Sequence, residues 1–483
     1  MLETQDLTFS YDGSTQILQS LHLQIHRGEL LLITGPTGSG KSTLAKCLAG
    51  FIPRSIEGFF SGLIKIDGKN TEDLSIAEFS KRISLVQQDS DSQICTLRVS
   101  DEIAFGPENF EFDEKTIETL VNSSLSDVKS LHLSRRTPHT LSGGEKQRIA
   151  IAAMLSCQSD FIILDEPSSS LDPKGIVQLR NILSTLKEKN VGIICIEHNL
   201  GAVSPIANRT LFLNNGILSK VPEKTPLDLI MSKEIHLLAD QKPLLSLERI
   251  CFSYEDTPII KNVDFGITSG EIVALMGGNG SGKTTLVSLL GGLVAPNNGT
   301  ITLCGVPISK LKPKDITKQL SVVFQNPNHQ IFESTVWKEQ MLTSEILEMT
   351  DGDHMEFSRH LLDTAELLHL SERNPFSLSH GQKRRLNITS TTGHRPHILL
   401  LDEPFVGQDY DGRQFILNTI LDIVKNGGTA LIVTHDMNFA KNCCTRIVFL
   451  ENGSILLDGS PETVIQRLSE IGHEEYTIQG VEA

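Results

Sequence analysis

No apolar run in this sequence approaches the ~20 residues needed to span a bilayer; stretches such as "LLLI", "FIIL" and "ALIV" are far shorter. If the protein serves a membrane process, another chain must supply the membrane part. The eight cysteines contain no Cys-x-x-Cys pair and no Cys/His spacing suited to zinc, and adjacent residues such as Cys443 and Cys444 cannot close a relaxed disulfide. A reducing compartment is expected. Basic residues form no cluster longer than "QKRR" and "SRR", and the formal net charge is -16. That balance argues against a groove tracking a phosphate backbone, so no nucleic-acid partner is expected. The first residues, "MLETQDLTFSYDG", carry an early acid and lack the basic-then-apolar order of an export signal, so the expected place is inside the cell.

What the sequence does contain is one pattern written twice. "LSGGEKQRIAI" at Leu141–Ile151 precedes "FIILDEP", and "LSHGQKRRLNI" at Leu378–Ile388 precedes "HILLLDEP". Gln325 minus Gln88, Ser379 minus Ser142, Glu403 minus Glu166 and His435 minus His198 all equal 237. A constant offset of that size means an internal duplication. The offset from Lys41 to Lys283 is 242, so the first half holds five further residues in "FIPRSIEGFFSG", expected as a surface loop. With 483 residues and 39% hydrophobic content, two such halves can each bury an ordinary core. The expected organisation is residues 1–222, a linker over 223–243 that is rich in proline and charge at its ends, and residues 244–483.

Within each half, strand-like runs alternate with helical patterns, as in α/β folds built on a parallel sheet. "ELLLIT", "FIILD" and "GIICIE", then "EIVALM", "HILLLD" and "TALIVT", are apolar almost throughout. Such runs suit strands covered on both faces.

"GPTGSGKST" follows the first of these strands and "GGNGSGKTT" follows its counterpart, and both satisfy GxxxxGK[ST]. Glycines at Gly35, Gly38 and Gly40, with Ser39, allow backbone amides to turn inward around a polyphosphate. Lys41 then reaches the β and γ phosphates, Ser42 holds Mg2+, and Thr43 follows in the helix. Gly277, Gly280, Ser281, Gly282, Lys283, Thr284 and Thr285 repeat the set. One such match is compatible with an ordinary glycine-rich turn; two at corresponding places point to nucleotide binding.

Asp165 and Asp402 close later strands and are placed to support Mg2+, while Glu166 and Glu403 are placed to orient or deprotonate an attacking water. His198 and His435 end further buried strands, at the sheet edge where an α/β fold receives its ligand. The repeat favours a phosphate contact for both.

The order of these pieces resembles the nucleotide-binding domain of ABC ATPases across nearly the whole chain. The resemblance implies two tandem P-loop NTPase domains, each a RecA-like parallel-sheet core with a helical subdomain, hydrolysing ATP with Mg2+. It implies that Tyr11 and Tyr254 stack on adenine, although each tyrosine could equally be core. Gln88 and Gln325 would touch Mg2+ and report nucleotide state to a transporter partner. Asp172 and Asp409 would lie in the loop coupling the two sites, where Gln408 and Tyr410 replace Leu171 and Pro173. In the family, two domains close head to tail, so Ser142, Gly143 and Gly144 would face the nucleotide at Lys283. Ser379 and Gly381 would face that at Lys41. His380 stands where the first copy has Gly143, which preserves the serine and last-glycine donors; a titratable imidazole beside three phosphates makes that site sensitive to pH. Two competent sites are expected.

"FQNPNHQIF", "AFGPEN" and "LSHGQKRRL" further resemble the ATPase subunits of energy-coupling factor (ECF) importers of vitamins and metal ions, which also occur as fused pairs. The first half has "VQQDSDSQI", without the Asn-Pro, and the second has "MLTSEI" where "FGPEN" would stand. That resemblance implies a peripheral ATPase on the cytoplasmic face of the membrane, partnered by a large coupling membrane protein and a small substrate-binding one, with the two halves pairing within one chain. The alternatives are an ATPase of a sugar or peptide importer and a soluble tandem ABC factor acting on ribosomes. In the sugar type one site usually looks degenerate, and here neither does; the ribosomal factors carry a long basic helical linker, whereas the present one is short.

Overall fold

The computed structural model describes residues 1–36, 38–72, 74–88, 90–169, 171–198, 200–220 and 243–477. The chain divides into two compact units, whose described residues are 1–220 and 243–477. The expected linker lies outside the described residues apart from Pro243.

In the first unit, a six-stranded sheet runs in the order Ile217–Lys220, Arg209–Asn214, Leu30–Thr34, Gly192–Ile196, Phe161–Asp165, Ile83–Val86. Its strands pair in parallel except for the antiparallel edge hairpin of the first two. The strands Leu30–Thr34, Phe161–Asp165 and Gly192–Ile196 are buried at every residue, as expected for runs sandwiched between layers. The second unit repeats the arrangement, with Leu320–Val323, Ile398–Asp402, Thr429–Val433, Ile272–Met276, Arg446–Glu451, Ser454–Gly459 in order. Its three central strands are likewise fully buried. Each unit has one apolar cluster on either face of this sheet.

Beside each core sheet lies a four-stranded antiparallel sheet that the apolar runs did not announce. It is formed by Leu18–Ile25, Leu2–Ser10, Phe59–Ile66, Lys69–Asn70, and by Thr257–Ile267, Leu245–Tyr254, Asn298–Leu303, Val306–Pro307. Each unit also carries the expected helical layer, Val99–Asn109, Glu114–Asp127 and Gly143–Ser156 in one, Val336–Ile346, Gly352–Thr364 and His380–Thr392 in the other. The extra residues in "FIPRSIEGFFSG" are not simply surface loop. They include a kinked turn at Phe51–Arg54 and the start of a strand at Phe59, and Ile52 is fully buried in the core because an apolar side chain there removes surface from water.

Candidate active sites

Each phosphate cradle joins the central strand of its sheet to a helix, Lys41–Leu48 or Lys283–Leu290. Gly35 shows why the motif needs glycine: a Cβ there would sit 2.0 Å from the carbonyl oxygen of Leu213, and one on Gly277 would sit 2.1 Å from that of Leu450. Gly38, Gly40, Gly280 and Gly282 complete the turns with positive φ. Among the described residues, the buried hydroxyls of Ser39 and Ser281 have no hydrogen-bond partner. Lys41 donates to the carbonyls of Gly35 and Pro36 at 2.9 and 2.8 Å, and Lys283 to those of Gly277 and Gly278 at 2.9 Å each.

The groups expected to attend a metal ion converge on these cradles. Ser42 hydrogen-bonds Asp165, and among the described residues the buried Oδ1 of Asp165 has no partner. Thr284 Oγ1 donates to Asp402 Oδ2 at 2.8 Å. Burial pushes the pKa of Asp165 and Asp402 up, while the hydroxyl bond and the nearby lysine pull each one back. An unmet buried acceptor beside a hydroxyl suits a hard cation with oxygen ligands. Among the described residues, no group of three or more His, Cys, Asp or Glu side chains is placed to hold a metal alone.

Glu166 and Glu403 follow the aspartates with φ of 52° and 46°, a left-handed conformation that costs a non-glycine residue energy and gathers at functional positions. Each is pinned there by its own amide, which donates across the sheet to Ile196 or Val433. His198 Nε2 lies 3.0 Å from Glu166 Oε1, and His435 Nε2 lies 3.3 Å from Glu403 Oε1. Gln88 Nε2 donates to Glu166 Oε2 at 2.7 Å. Gln88, Glu166 and His198 thus meet in the first unit; among the described residues no corresponding bond joins the Gln325 side chain to Glu403. Burial pushes Glu403 up to about 8, with Asp402 and Asp436 adding to the rise and Lys283 opposing it.

Ser142 and Ser379 each cap a helix in a full capping box, the first with Glu145 and the second with Gln382. Gly143, Gly144, His380 and Gly381 form the first turns of those helices, so their amides stand at a positive helix end. Leu171 packs towards Gly144 in the first unit, whereas in the second the Gln408 amide reaches the Gly381 carbonyl at 3.5 Å. Asp172 and Asp409, expected to couple the sites, cap the helices Pro173–Glu188 and Tyr410–Lys425. Tyr11 and Tyr254 are half exposed, each edge-on to a core phenylalanine, and the Tyr11 hydroxyl lies 3.3 Å from Thr43 Oγ1. Thr285 follows Thr284 in its helix, half-buried.

Sequence reasoning missed several groups. Glu197, one residue before His198, is 2% exposed and accepts from the Ser168 amide at 2.8 Å. Burial raises it to about 8, with Glu166 and Asp165 adding to the rise and the Ser168 bonds opposing it. Thr434 stands at that place in the second unit. Glu102 and Glu339 are buried, and each accepts two backbone amides, from Cys95 and Thr96 or from Phe332 and Glu333. Gln93 and Gln330 bridge the base of the glutamine loops. Arg384 is fully buried; burial lowers its guanidinium to about 10, while Asp402 and Glu403 favour its charged form. The acid ending "GIICIE" was the one visible signal for Glu197.

The sequence matches the ABC transporter family model over residues 18–169 and 260–406. A Bacillus subtilis (strain 168) protein, provisionally named an HMP/thiamine import ATP-binding protein, is 32% identical over 95% of this chain and 92% of its own. A Methanosarcina mazei protein, provisionally named an ABC transporter ATP-binding protein, is 31% identical over 95% of each chain. Among solved structures, a model of ribosome-bound archaeal Pelota and ABCE1 superposes with a TM-score of 0.71, covering 97% of this chain and 81% of that one at 22% identity, a likeness of fold alone. Fold and cradle together define a P-loop nucleotide hydrolase, present twice. The chain belongs to the ABC transporter family; it is an ATPase that binds ATP with Mg2+.

Proposed function

We propose that this chain powers an ECF-type importer of a vitamin or metal ion. The observation that carries the proposal is the full-length match to a relative provisionally named for HMP/thiamine import, joined to the motifs "FQNPNHQIF", "AFGPEN" and "LSHGQKRRL". Among the described residues no helix is long and apolar enough to cross a membrane, so a membrane path comes from partner chains, one large coupling protein and one small substrate-binding protein. The ATPase then works peripherally, on the cytoplasmic face.

In this reading each ATP is held by the cradle of one half and the signature helix of the other, within one chain. Lys41 and Lys283 bind the β and γ phosphates; Ser42, Gln88 and Asp165, or Thr284, Gln325 and Asp402, attend Mg2+. Glu166 and Glu403 activate water, and His198 and His435 contact the γ-phosphate. Ser142 and Ser379 offer hydroxyl and helix-end amides to the γ-phosphate across the pair. Two complete sets of these residues support two hydrolysing sites.

The test is to tag the protein in its own host, solubilise membranes gently and identify co-purifying proteins by mass spectrometry. One larger and one small integral membrane protein are expected, and transport by the small one names the cargo. Recovery of ribosomal proteins with nothing from the membrane refutes import.

A further inference from the structure

The two glutamine loops are held in different ways. In the second unit the guanidinium of Arg384, on the signature helix His380–Thr392, donates to the carbonyl oxygens of both Phe324 and Gln325. Two more side chains of that helix reach the same loop: Asn387 Nδ2 donates to Pro327 O at 2.8 Å and Lys383 Nζ to Asn328 Oδ1 at 3.0 Å. The 237-residue offset puts Lys146, Gln147 and Ala150 at these places in the first unit. Gln147 is 1% exposed, and among the described residues its Nε2 has no hydrogen-bond partner; Ala150 has no polar atom in its side chain. There, Gln88 is held through its side chain, which donates to Glu166.

We infer that Arg384 is a positioning residue for the second ATP site, fixing Gln325 through its backbone and tying that loop to the helix that begins at Ser379. A buried guanidinium with two carbonyl partners makes charge-assisted bonds that a neutral amide in its place cannot match. The loop glutamine in the unit of Lys283 is thereby set by an arginine, and the one in the unit of Lys41 is not. Because Arg384 and Ser379 share a helix, a shift of the Gln325 loop is carried directly to the signature. The inference rests on the role proposed above for Gln325 and is independent of the cargo and of the membrane partners.

The test uses the full chain with three variants. Arg384→Gln installs the side chain that the first unit already accommodates at this place, Arg384→Lys keeps a charged donor, and Gln325→Ala removes the group being positioned. Hydrogen exchange followed by mass spectrometry should show amides of Phe324–Gln330 exchanging on the order of tenfold faster in Arg384→Gln, with the Gln88 loop unchanged. Its ATPase kcat should fall by at least about twofold, the share of one of two sites, with KM for ATP unchanged. Arg384→Lys should recover most of both, and Gln325→Ala should lower kcat as Arg384→Gln does. Parental loop exchange or parental kcat in Arg384→Gln overturns the inference, as does a fall in kcat with both loops loosened and KM raised. A parental kcat in Gln325→Ala instead shows that the reading of Gln325 itself has failed, leaving Arg384 nothing to position.

Discussion

Glu197 gives the first unit a stability that must fall as pH rises. Its carboxyl is buried against Ser168 beside Glu166 and Asp165, and its pKa stands at about 8 in the folded chain against an ordinary 4.5. Between these values the folded protein holds a proton that the unfolded chain has released, so each pH unit costs about 1.4 kcal/mol of stability. The penalty is absent below the unfolded value and complete above about 8. Glu197→Gln keeps an acceptor for the Ser168 amide and cannot ionise. From about pH 5.5 to about pH 8, the variant should therefore gain about 3 kcal/mol on the parent, allowing for partial titration at both ends. Hydrogen exchange of the buried strand Gly192–Ile196, in nucleotide-free protein without metal, reads this in the first unit alone. Comparing the two proteins at each pH cancels the intrinsic pH dependence of exchange. The protection ratio of variant to parent should grow by roughly a hundredfold across the range. A ratio constant to within about twofold would show that Glu197 ionises freely where it stands and refute the reasoning.

Other outcomes follow from the same geometry. Glu166→Gln and Glu403→Gln should each depress the turnover of its own site by about 10²-fold or more, and steady-state phosphate release that stays near the parental rate identifies a site that does not turn over. Chelating Mg2+ should abolish hydrolysis, with restoration on adding it back as the check. Ser142→Ala removes a capping box and should cost about 1 kcal/mol in urea titrations, besides its effect on hydrolysis. His380→Gly should alter the pH profile of ATPase activity, and a profile superposable on the parent's disposes of a titrating imidazole at that site.

The central sheets were legible because their strands are apolar at almost every position, a pattern that only double coverage explains. The cradles were legible because their chemistry is local, glycines at fixed spacing ahead of Lys and Ser or Thr, and the signature segments because one copies the other at a constant offset. The antiparallel sheets were harder to see, since alternation along them is broken. Register shifts fall between Thr4 and Leu7 and between Leu247 and Ile250, where Asp6 and Arg249 adopt positive φ. A bulge moves following side chains to the other face and erases the period of two. Arg384 was hidden for another reason. In sequence it belongs to a basic "QKRR" piece, which reads as solvent-facing; its burial depends on carbonyl partners about sixty positions upstream. Glu197 is similar, since a lone acid after an apolar strand looks like a strand end until Ser168 is seen beneath it.

Duplication within one polypeptide also changes what a mutation can do. In an assembly of two identical chains, a substitution at the place of Gln147 or Arg384 alters both copies at once and must be tolerated twice. Here the codons are separate, so glutamine and arginine coexist, as do Glu197 and Thr434, and Gly143 and His380. The fusion guarantees equal numbers of the two halves while letting each half inherit its own changes. Selection can then act on the difference between the sites, a quantity that does not exist when one gene encodes both.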